Sequence, residues 1–154
     1  MVKRPSAYKA ILLGGLIAGI LDITFAFIFY YALRGSTPIR ILQSVASGAL
    51  GAKAFAGGAE TAALGAFFHF LIATTAAAVY YVASRTLRFL VRQPFIWGVI
   101  YGVAIYLFMN FVVIPLSALP AKPSYPLRVL IPGLLIHMFG IGLPIALVTR
   151  RYAK

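Results

Sequence analysis

Apolar residues fall along this chain in four long blocks, and the short segments between them hold most of the charge and much of the proline. The blocks run from Ala10 to Leu33, Glu60 to Ala83, Phe95 to Ser117 and Arg128 to Thr149. A helix needs about 20 apolar residues to cross the hydrocarbon core of a bilayer, so the pattern predicts four membrane-spanning helices. The breaks agree. Arg85, Arg88 and Arg92 close the second block and Pro94 opens the third, while "PLSALPAKPSYP", with four prolines from Pro115 to Pro126, cannot continue a helix. The first block follows a basic "MVKRPSAYK", as a secretory signal would. It is too long for the apolar core of a cleaved signal and no clear small-residue cleavage site ends it, so it reads as the first span.

Between the first two blocks lies "STPIRILQSVASGALG". Ser36 or Thr37 is a candidate N-cap, Pro38 suits the first helical position, and Ile39, Leu42, Val45, Ala46 and Leu50 recur at helical spacing. This predicts an amphipathic helix at about 38–50, too short to span. It would lie in the outer interface or pack over the mouth of the bundle, a plain linker being the alternative.

Composition fixes the class. Of 154 residues, 62% are hydrophobic and 10% charged, and the mean hydropathy of +0.97 lies far above that of soluble domains. Fourteen Lys and Arg against two acids give a net charge of +12. In a soluble chain that would point to nucleic acid; here the cations flank apolar spans and meet anionic head groups, so no nucleic-acid partner is expected. The expected partner is the lipid bilayer, with a homo-oligomer or a larger membrane complex also open. With the N-terminus inside, the cytoplasmic side holds nine cations (Lys3, Arg4, Lys9, Arg85, Arg88, Arg92, Arg150, Arg151, Lys154) and the other side five (Arg34, Arg40, Lys53, Lys122, Arg128), which places both termini in the cytoplasm. Tyr8, Tyr30, Tyr31, Trp97, Tyr125 and Tyr152 sit near span ends, as head-group anchors do. The absence of cysteine excludes disulfides, thiolate metal sites and thiol catalysis.

Each span carries one strongly polar residue on a face of small residues. In the second, His69 lies among Ala62, Ala66, Ala73, Ala76 and Ala77. The first aligns Asp22 with Gly15, Ala18 and Ala26, Gly15 and Gly19 forming a GxxxG pair. The third aligns Gly98, Gly102, Tyr106 and Asn110, and the fourth Gly133, His137, Gly140 and Pro144. Small residues let membrane helices approach closely, so these faces should point inward. At 1.5 Å per residue from the outer ends, Asp22 lies roughly 16 Å deep, His69 and His137 roughly 13 to 14 Å, and Asn110 roughly 10 Å. The four are expected to meet in one layer.

Such a layer needs a reason, because an Asp at a span centre costs on the order of 3 kcal/mol unless it faces the interior, a partner or water. The leading reading is a proton-linked transporter or channel for a small solute, using Asp22, His69, Asn110, His137 and Tyr106. The alternative is a non-catalytic membrane subunit or assembly factor in which these residues form a structural clasp. No cofactor is predicted, although two ligand sets stay open: a haem held by His69 and His137, with flanking glycines leaving room for the ring, and a zinc ion held by His69, His137 and Asp22. No nucleophile motif stands behind Ser44 or Ser47, so the sequence leans away from an enzyme. Glu60, at the start of the second span, suits a helix N-terminus or the mouth of a pathway.

"ILQSVASGALG", "VYYVASR", "YGVAIYLFMNFVVIPLSA" and "HMFGIGLPIAL" resemble segments of a group of uncharacterised small bacterial integral-membrane proteins with four helices, from about Ala10 to Val148. The resemblance implies a bacterial inner (cytoplasmic) membrane and adds no chemistry. The fold expected is all-α: a single membrane domain over 1–154, built as a four-helix transmembrane bundle with an amphipathic helix on its outer face.

Overall fold

In the computed structural model, which describes residues 6–121 and 124–152, the protein is all-α, with no strand among the described residues. In chain order the helices are α1 (Ala7–Arg34), α2 (Pro38–Leu50), α3 (Gly58–Thr86), α4 (Phe89–Arg92), α5 (Pro94–Leu116) and α6 (Leu127–Tyr152). α1, α3, α5 and α6 are each long and apolar enough to cross a membrane. They extend a few residues past several of the apolar blocks, because a helix keeps its own hydrogen bonds satisfied into the interfacial layer. Lys3, Arg4, Lys122 and Lys154, counted above for orientation, lie outside the described residues.

Ser6 N–H donates to the carbonyl of Tyr152 at 3.0 Å, so the chain's first and last spans meet at one end of the bundle, which also holds α4. The opposite end is roofed by α2. Gly35 closes α1 in the left-handed region (φ 66°), its N–H reaching Tyr31 O at 2.8 Å; glycine adopts this conformation without a Cβ penalty. Pro38 then opens α2, with the Thr37 hydroxyl accepting from the Arg40 N–H at 3.3 Å. α2 lies on α3 so closely that a Cβ on Gly65 would run into the carbonyl of Leu42. Gln43 Nε2 donates to Gly58 O at 3.1 Å, and Ala118 N–H donates to Gly48 O at 2.8 Å, tying the roof to α3 and to the segment after α5.

Around the bundle the order is α3, α1, α6, α5. Small residues set these contacts. Gly15 takes the backbone of Thr74, Gly19 takes the Phe70 ring, and Gly98 and Gly102 of α5 meet Gly142 of α6 backbone to backbone. The core, with Ala18, Ala77, Tyr80, Ile145 and Ala146, lies in the half nearer the termini. α3 and α5, consecutive spans in the chain, scarcely pack on one another, so the arc of four helices stays open on that side.

α5 and α6 each contain a π-helical stretch, Met109–Val113 and His137–Gly142. Both stop one residue short of a proline, Pro115 and Pro144. A proline ring clashes with the carbonyl four residues back and offers no N–H, and widening the preceding turn relieves that clash.

Candidate functional site

Below the α2 roof the four long helices surround a cavity of about 340 Å³. Asp22 from α1, His69 from α3, Asn110 from α5 and His137 from α6 all line it, with Tyr106 beside them. Val45 of α2 closes it from above, and Tyr30 and Tyr125 contribute to its wall.

The polar groups fall into two sets. Asp22 and His69 form the first, with His69 Nδ1 4.0 Å from Asp22 Oδ2 and side-chain exposures of 12% for the histidine and 22% for the aspartate. His69 Nε2 lies 2.8 Å from the carbonyl of Gly19. A carbonyl only accepts, so Nε2 carries hydrogen and donates. Unless the ring holds a second proton, Nδ1 therefore turns a lone pair toward the carboxyl. Two lone pairs repel, so the contact is favourable only with a proton on Nδ1 or on the carboxyl. Gly19 brings the two together by letting the Phe70 ring lie close against α1.

The second set is Asn110, His137 and Tyr106. Asn110 Nδ2 donates to Tyr106 O at 2.8 Å, and His137 Nδ1 donates to Gly133 O at 2.8 Å, each bond running four residues back within its own helix. The buried Tyr106 ring stands edge-on to His137 with centroids 5.2 Å apart. His137 Nε2 has no hydrogen-bond partner among the described residues. Both Asn110 and His137 belong to the π-helical stretches, which concentrate at functional sites.

These placements bear on the ligand sets open from sequence. Among the described residues no group of three His, Asp or Glu gathers closely enough to hold a metal ion. The two imidazoles line one cavity but have separate partners, Gly19 O for His69 and Gly133 O for His137, and the Tyr106 ring lies beside Gly133. Ser44 and Ser47 donate to the carbonyls of Ile41 and Ser44 within α2. Glu60 is exposed in the first turn of α3, makes no capping hydrogen bond, and is not among the residues lining the cavity or its vestibule.

Sequence reasoning missed three features. Tyr30 and Tyr125, read as head-group anchors, line the cavity; an aromatic near a span end carries the same sequence signal in either place. A vestibule of about 510 Å³ lies at the α2 end, lined by Arg34, Arg40 and Ser44, and it shares Tyr30, Ser124 and Val129 with the cavity. Gly142, rather than Gly140, is the glycine on which α5 and α6 meet. No protein family, curated protein or solved structure matches this chain.

Proposed function

We propose that this protein is a proton-linked carrier of the bacterial inner membrane, with both termini cytoplasmic and the Asp22, His69, Asn110 and His137 cavity as its binding chamber. One observation carries the reading: a chamber lined by polar side chains from all four spans adjoins a vestibule at the α2 end, while the core around Ala77, Tyr80 and Ile145 fills the bundle on the terminus side. An open channel needs a passage along the whole bundle; a carrier needs a site reached from one side at a time. The Asp22–His69 pair supplies a place for the coupled proton, and the π-helical stretches supply loosened turns on which α5 and α6 can reshape.

The clasp reading rests on the bond from His69 to Gly19 O, which ties α3 to α1. It gains nothing from Asn110 and His137, whose bonds stay within their own helices. A clasp satisfies its polar groups between helices; these two leave their free ends to the cavity.

Asp22→Asn separates the readings, since the amide keeps the shape and hydrogen-bonding ability of the carboxyl but cannot carry its proton. Wild-type and variant protein are placed in liposomes holding a pH-sensitive dye, under an imposed potential, alone and with lactate, succinate or phosphate outside. Proton flux is expected in the wild type and its loss in the variant, with an unchanged melting temperature. Equal flux from both proteins, or none from the wild type in any condition, overturns the carrier.

A further inference from the structure

The open side of the arc lies against the chamber. α3 and α5 are pinned by the Tyr101 hydroxyl, which donates to Ala76 O at 2.7 Å, and by the Tyr80 and Tyr101 rings, 4.9 Å apart. Between the two helices runs an apolar groove of about 570 Å³. Its two hydroxyls, on Thr75 and Tyr101, are both spent on backbone carbonyls. On α5 the lining extends from Tyr101 to Val113, about 18 Å at 1.5 Å per residue. The hydrocarbon of one leaflet is about 15 Å deep, half of the core thickness. The groove thus matches one lipid chain in length.

Ile72, Ala76, Ile105 and Met109 line both the groove and the chamber. The wall between them is one side chain thick, and Met109 is unbranched and easily moved. The chamber sets four polar side chains among apolar ones, while the groove beside it is apolar along a leaflet's length, so the pair of spaces suits a ligand with one polar end and one long apolar tail. The charge selects its sign: the vestibule above holds Arg34 and Arg40, and neither cavity is lined by an acid other than Asp22, which stands against His69.

We infer that the chamber's ligand is an acidic single-chain lipid taken from the bilayer. The head group meets His137 and Asn110 on the side away from Asp22, with Arg34 and Arg40 above, and the chain lies between α3 and α5. This rests on the chamber being a binding site, as proposed above, and names what it binds.

The test uses palmitic acid bearing a mid-chain diazirine, photolysed in phosphatidylcholine vesicles containing the full-length protein, with adducts located by mass spectrometry. Adducts are expected on Ile72, Ile105 and Met109, removed by excess palmitate but not by hexadecanol. Ala104→Phe, which fills the groove from an exposed position, should cut them about ten-fold, and Leu12→Phe, on the lipid face of α1, should leave them intact. Adducts spread over the lipid face of all four spans and indifferent to palmitate mark ordinary boundary lipid and overturn the inference, as does equal competition by hexadecanol. The flux measurement is repeated with palmitate in the vesicles as a further condition, read as the difference between wild type and Asp22→Asn, so the two ideas fail separately. Asp22-dependent flux without site-specific labelling removes the lipid and keeps the carrier; labelling without flux removes the carrier and keeps the lipid site.

Discussion

In the half of the bundle near the termini, α1, α3 and α6 meet through Ala18, Ala77, Ile145 and Ala146, all fully buried, and α5 joins α6 through glycine backbones. In the half beneath α2 the same four helices stand around a chamber and part along a groove. Both halves draw on small and aromatic residues. What differs is where the small residues face. Near the termini Ala10, Gly14, Ala18, Ala77 and Ala146 are buried between helices, so backbones approach and dispersion contacts accumulate. Under the roof the inward positions go to Asp22, His69, Asn110, Tyr106 and His137, which are too large and too polar to let backbones close. The contrast pairs one closely packed end with one that surrounds open space.

Gly142→Val should disturb that contrast most. A Cβ there falls on backbone atoms of Gly98 and Gly102, which cannot swing aside as a side chain would. A loss of about 3 kcal/mol or failure to fold is expected, read from thermal unfolding in detergent; a near-normal melting temperature would mean that the tight half is softer than drawn. Next comes Tyr101→Phe, at the boundary between the halves. It removes the hydrogen bond to Ala76 O and should cost about 1 kcal/mol in the same assay. No change would show that α3 and α5 are held by packing alone. The smallest effect is expected from Asn110→Ala. Its bond stays within α5 and its far side faces an existing cavity, so the loss should not exceed about 0.6 kcal/mol. A loss as large as that of Tyr101→Phe would make Asn110 a structural tie and weaken the functional reading of the chamber.

Much of the fold is legible in the chain because the bilayer demands it. Four blocks without enough charge to face water have no stable form other than helices, and Pro38 and Thr37 write the start of α2 plainly. For the candidate site, small-residue stripes mark the faces of Asp22, His69, Asn110 and His137, since spacing alone says which residues share a face. Pairing is not legible. That Asp22 stands against His69 while His137 stands against Tyr106 follows from α1 packing on α3 and α5 on α6 at particular heights. The stripe of Ala18, Asp22 and Ala26 continues to Tyr30 and turns Tyr31 outward, a spacing signal for Tyr30 that its place near a span end obscures. The π-helical turns are hinted at only by the prolines that follow them.

Local chemistry therefore determined, with no help from the fold, that this chain is helical, crosses a membrane in four passes and carries costly polar groups within its spans. Each of those statements depends on a residue and its near neighbours in sequence. The chamber, the Asp22–His69 pair, the basic vestibule and the open side between α3 and α5 were decided by tertiary structure alone. They depend on which helices pack and, between α3 and α5, on how few contacts join them, and no local pattern encodes the space left between two helices.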